Sequence, residues 1–211
     1  MSEKVATSHL DAQSLKLLAA LLGKQWQFVT GEPLPERPGS MAAFDEVLVA
    51  VDGDAVAVQS ALRLLDFEGS DDEYPQLGVV PTDTRALDRA RKSGRLSYRN
   101  RGAVVSQVYI VRERLSQLRN GEVQWTYSTD IGVVFGLSGV AVAVVKASHH
   151  VEALQVSFGA SVEELDLPDR TIEWDWDNEI GQEYRTRRDF IDVRDCLEGS
   201  GGGAPRGGQE P

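Results

Sequence analysis

Two adjacent histidines, His149-His150, are the first residues whose chemistry invites a functional role. A histidine titrates near neutrality and acts as a general base when a carboxylate orients it; Asp130 and Glu152 are available for that. On a strand, however, neighbouring side chains point to opposite faces, so the pair cannot hold one metal ion without a bend. A helical metal pair needs a spacing of three or four, and the remaining histidine, His9, lies in a segment expected to fray. The pair therefore reads as polar residues closing an apolar strand. Asp175, Asp177 and Glu179 begin like an oxygen-rich cation loop. A calcium loop needs glycine at its sixth position and glutamate at its twelfth, where this chain has Ile180 and Thr186. Ser138-Gly139 sits in an expected hairpin rather than a strand-to-helix nucleophile elbow. Cys196 has no histidine nearby in sequence to activate it. No catalytic constellation emerges, and the sequence calls for no metal and no cofactor.

Charge is more informative. Between Arg85 and Arg119 lie ten basic residues against Asp88 and Glu113, a local balance of +8, whereas the rest of the chain carries −19. Arginine dominates, and its planar fork suits bidentate contact with carboxylate or phosphate. Tyr98 lies among Arg95, Arg99 and Arg101, a mixture that would also stack on a nucleobase. Arg91, Arg95, Tyr98, Arg99 and Arg101 are therefore candidate binding residues. The competing expectation is that these arginines neutralise acidic stretches such as 66–73 and 163–169, or form a solvated face. Trp174 and Trp176 alternate with acids, which suggests a strand with both rings on one face. They are either a buried pair or part of a partner-binding surface.

The elements that must position these groups come next. The 211 residues suffice for a self-sufficient core, and 41% hydrophobic with 26% charged residues is ordinary for a soluble globular chain. A single cysteine excludes an intrachain disulfide and fits a reducing, cytoplasmic setting. No apolar run reaches the length of a membrane span, and the short stretch Leu15–Leu22 makes a poor secretory leader. The net charge of −11 opposes long-range attraction of nucleic acid and favours basic protein partners.

Residues 47–62 (VLVAVDGDAVAVQSAL) recur in register as 133–148 (VVFGLSGVAVAVVKAS), with the turn glycines Gly53 and Gly139 aligned. Each is expected to be a β-hairpin, within meanders spanning about 45–67 and 130–158. Leu62, Leu64 and Phe67 suggest a third strand in the first unit, although residues 61–65 fit one helical turn as well, and an acidic loop follows. Ala153-Leu154 echoes Ala61-Leu62 and extends the repeat. Asn120-Gly121 is the strongest turn signal, and a simple two-residue loop sets Trp125 opposite Ser116. Helices are expected after a cap at Asp11 or Ser8 and over 84–93, the latter ending at Gly94. These features give an α+β fold, mostly antiparallel β-sheet. Its expected organisation is an N-terminal helix and linker (1–40), one domain (41–198) and a disordered glycine-rich tail (199–211).

A small acidic body without catalytic groups points to a non-catalytic intracellular protein-interaction module, of the inhibitor, immunity or regulatory-subunit kind. The alternative is a nucleic-acid-processing or metal-dependent enzyme component. In it the basic 85–119 segment binds phosphate, and Asp130, Asp175 and Asp177 hold Mg²⁺.

Overall fold

The computed structural model describes residues 4–37, 39–67, 70–169 and 181–200. The chain is mostly antiparallel β, in two sheets, with three short helices among these residues. The smaller sheet has the order β7 (Ser70–Pro81), β6 (Asp54–Phe67), β5 (Glu46–Val51), β2 (Trp26–Thr30), β8 (Leu96–Ser97). The larger runs β13 (Gln182–Asp192), β9 (Val105–Arg119), β10 (Glu122–Leu137), β11 (Val140–Lys146), β12 (Ala153–Gly159), β4 (Met41–Phe44), β3 (Glu32–Pro33). A further strand, β1 (Lys4–Ser8), joins β10 in parallel.

Period-two patterning determines how the sheets stack. Val47, Val49 and Val51 of β5, with Val56 and Val58 of β6, face Val133 and Phe135 of β10 and Val142 and Val144 of β11 in one shared core. Trp26 and Phe135 meet there with ring centroids 5.4 Å apart. One margin of this core is closed by α1 (Ala12–Ala19), through Leu15 and Leu18, and by α3 (Val193–Ser200), through Val193. The opposite set of β5 and β6 residues, Leu48, Ala50, Ala55 and Ala57, lies under α2 (Thr84–Ser93). The far face of the larger sheet is covered by Val162, Leu165 and Leu167.

Both expected hairpins form. Val51 pairs with Asp54 and Leu137 with Val140, so each turn has two residues, and Gly53 and Gly139 take φ of 76° and 82°. Two-residue turns of this kind recur throughout antiparallel sheets. The matching hairpins therefore do not show a duplication. The longer repeat fails in its details: Ala61 lies inside β6, whereas Ala153 opens a separate strand.

Several local expectations change. Residues 4–8, expected to fray, form β1, which runs beside Trp125–Thr129 where β11 does not reach. Buried backbone N–H and C=O groups of β10 need a partner there, and the N-terminal segment supplies it. Leu62 and Leu64 begin no third strand but prolong β6, and residues 70–76 of the expected acidic loop are its antiparallel partner in β7. Within the expected 31–40 linker, Glu32-Pro33 pairs with β4. In the Asn120-Gly121 hairpin a bulge at Gln124 sets Trp125 opposite Gln117 and Tyr127 opposite Leu115. One extra residue on the outgoing strand shifts every later pair. Trp125 and Tyr127 are buried, whereas Val123, two positions before Trp125 and ahead of the bulge, is 43% exposed. α3 runs on to Ser200, past the start expected for the tail, and residues 201–211 lie outside the described residues.

Candidate interaction face

The basic segment is divided by the fold. Its C-terminal part enters β9, where Arg112 is half-buried and bonds Asp130 through Nε at 2.7 Å and Nη2 at 3.2 Å. Its N-terminal part, 85–101, forms α2, β8 and the turn after β8. There Arg85, Arg89, Arg91, Lys92, Arg95, Arg99 and Arg101 are all exposed, with Asp88 the sole acid.

Apolar burial puts these charges outward. Ala86, Leu87 and Ala90 turn α2 onto the outer face of the smaller sheet, which leaves its basic residues to solvent. Asp83 caps the helix, accepting from Ala86 N–H at 2.6 Å. The turn after β8 is tied back to β2: Gly102 N–H donates to Trp26 O, and Trp26 N–H donates to Ala103 O, both at 2.8 Å.

On this frame Arg91 lies over Phe28 at 5.7 Å, Phe28 meets Tyr98 edge-on at 5.9 Å, and Arg101 lies over Tyr98 at 5.9 Å. Two of the guanidinium groups, those of Arg91 and Arg101, thus rest on rings. Arg101 Nε also donates to Gln27 Oε1 at 3.2 Å. Arg95 pairs with Glu32 at 2.8 Å, and Arg91 with Asp88 at 3.5 Å; all four side chains are more than half exposed. The candidate set is therefore mostly brought together: Arg91, Arg95, Tyr98 and Arg101 share the α2–β8 face. Arg99 departs from it. It sits over Phe158 at 5.0 Å, in a separate hollow lined also by Glu36, Glu164 and Asp166, beside one of the acidic stretches. Trp174, Trp176, Asp175 and Asp177 lie outside the described residues.

Sequence reasoning missed two buried charge clusters. Glu113, 3% exposed, accepts from Arg188 at 2.6 Å and lies 3.1 Å from His149 Nε2, and Arg188 also donates to Pro168 O. Asp130, instead of orienting His149, accepts from Arg112 and from Leu10 N–H at 2.8 Å. His150 is exposed, with its ring 6.2 Å from Tyr74. Both clusters tie strands together, each around a buried carboxylate. Burial pushes the Cys196 thiol pKa up, which favours the neutral thiol over the thiolate.

No family model matches the chain, and comparison with curated proteins and with solved structures returns no match. Among the described residues no helix is long and apolar enough to cross a membrane.

Proposed function

We propose that this chain is a non-catalytic protein-interaction module whose α2–β8 face receives an acidic segment of a partner protein. The observation that carries this reading is the collection of six exposed cations on α2, β8 and the turn after it (Arg85, Arg89, Arg91, Lys92, Arg95 and Arg101), only two of them ion-paired among the described residues. Guanidinium groups resting on rings are oriented yet keep their donors available for carboxylates. A nucleic acid is a weaker fit, because an extended polyanion would also meet the field of a chain with net charge −11, whereas a short acidic segment touches the basic face alone. The metal-dependent alternative has nothing to build on at Asp130, whose two oxygens are already committed to Arg112 and Leu10.

The test is a quadruple variant, Arg89→Gln, Arg91→Gln, Arg95→Gln and Arg101→Gln, assayed with short poly-glutamate. The unmodified protein binds the peptide at low salt, more weakly as salt rises. The variant loses that binding while its melting temperature stays nearly unchanged, because the exposed pairs removed contribute about 0–1 kcal/mol each. Arg99→Gln alone leaves binding intact, since Arg99 faces the other hollow. Undiminished binding by the quadruple variant, or tighter binding of duplex DNA than of poly-glutamate, overturns the reading.

A further inference from the structure

The C-terminal part of the basic run offers a second arrangement, on the larger sheet rather than beside α2. Strand pairing sets Thr7, Ser128, Arg114 and Arg187 in one row across β1, β10, β9 and β13. Residues directly opposite one another in a ladder share a face. The neighbouring carboxylates on this face are committed: Asp130 to Arg112 at 2.7 Å, Glu183 to Arg185 at 2.7 Å and Asp189 to Arg187 at 3.0 Å. Arg114, exposed in the middle of the row, has no ion partner among the described residues. Its neighbour across the ladder is instead Arg187, a like charge with its Cβ about 5 Å away, an opposition that destabilises a sheet. On the other side Ser128 Oγ lies 2.9 Å from Nε2 of His9, an exposed residue that follows β1. Partial burial leads the causes that lower the His9 pKa. Asp130 opposes it and the charges of Arg112 and Arg114 add to it, so both arginines stand within electrostatic reach of the ring.

We propose that Arg114, Arg187 and His9 bind the phosphoryl group of a small phosphomonoester. This site is separate from the acidic-segment face and lies on the other sheet. An anion between the two guanidinium groups turns their repulsion into attraction, and the planar fork of arginine suits phosphate oxygens. The donors come from β9, from β13 and from the chain after β1. A planar carboxylate fills one such fork, whereas a tetrahedral dianion has oxygens for all three. Arg187 can turn from Asp189 at little cost, since that pair is exposed. The surroundings limit the size of the anion. Asp130, Glu183 and Asp189 border the row and disfavour a longer polyanion, which leaves room for one phosphoryl group.

The test titrates the full chain with O-phosphoserine, and with inorganic phosphate, glutamate and serine at matched ionic strength, following amide signals and melting temperature. Phosphoserine and inorganic phosphate are expected to move the signals of Ser128, Arg114, Arg187 and the His9 ring, and to raise the melting temperature. Glutamate is expected to bind roughly tenfold or more weakly, and serine not to bind. Arg114→Gln should lower phosphoserine affinity roughly tenfold or more. The same change should raise the melting temperature in phosphate-free buffer, because it relieves the opposition to Arg187. A purely structural arginine would give the reverse. Arg187→Gln is expected to weaken phosphoserine binding as well. A response to inorganic phosphate alone, glutamate binding as tight as phosphoserine, or phosphoserine affinity unchanged by both variants overturns the proposal. So does a lower melting temperature of Arg114→Gln in phosphate-free buffer. The quadruple variant of the α2–β8 face is expected to keep its phosphoserine binding, so the two sites stand or fall separately.

Discussion

Glu113 shows how far single residues outrun the sequence. It appears as one of two acids in a basic run, yet its partners Arg188 and His149 lie 75 and 36 positions away and meet it through strand pairing and the turn after β11. Periodicity cannot reveal such a cluster, because the partners belong to elements whose register is settled only by folding. Asp11 is the opposite case. Its position before an apolar helical stripe marks a cap in the sequence, and its carboxylate accepts from Ser14 N–H at 2.7 Å. The Ser14 backbone hydrogen bond leads the causes that hold the Asp11 pKa below its ordinary 3.8. A carboxylate with a lowered folded pKa contributes stability that is fully present above the ordinary value and is lost as pH falls through the folded one. Asp11→Ala is therefore expected to cost about 1 kcal/mol at neutral pH. Denaturation curves of the two proteins should converge as pH drops below the carboxylate range. A gap that stays constant with pH would show that the cost comes from something other than the charged cap.

Hairpins with tight polar turns and the two capped helices were legible because each is encoded locally. Asp52-Gly53, Ser138-Gly139 and Asn120-Gly121 all turn where expected. What escaped were features imposed by neighbours. The parallel strand β1 exists because β10 outruns β11, and β7 forms through an acidic sequence because β6 requires an antiparallel partner. The bulge at Gln124 altered the register without altering the outcome for Trp125, which is 4% exposed and packs with Leu115, Tyr127 and Tyr184. Its ring lies 6.1 Å from that of Tyr184, so Trp125 links β10 to β13 across β9. Trp125→Ala should lower unfolding stability by roughly 3–5 kcal/mol, read from the denaturant midpoint. An unmoved midpoint would mean that this cluster contributes nothing to holding the three strands together.

At the scale of the molecule, the uneven charge seen in the sequence becomes a spatial division. Part of the basic segment is consumed inside the larger sheet, where Arg112 binds Asp130, and part is displayed over the smaller one. The sequence marked the run but not this partition, which depends on where α2 ends and β9 begins to bury its side chains. On the proposed reading, an acidic body with a basic face would orient an approaching acidic segment, repelling it elsewhere and drawing it to α2 and β8. The most direct measurement is a titration of the isotopically labelled protein with poly-glutamate, followed by backbone amide chemical shifts. Shifts concentrated in residues 85–101 and the facing part of β2 are expected, fading as salt is added. Shifts centred elsewhere, or none at low salt, would contradict a basic docking face.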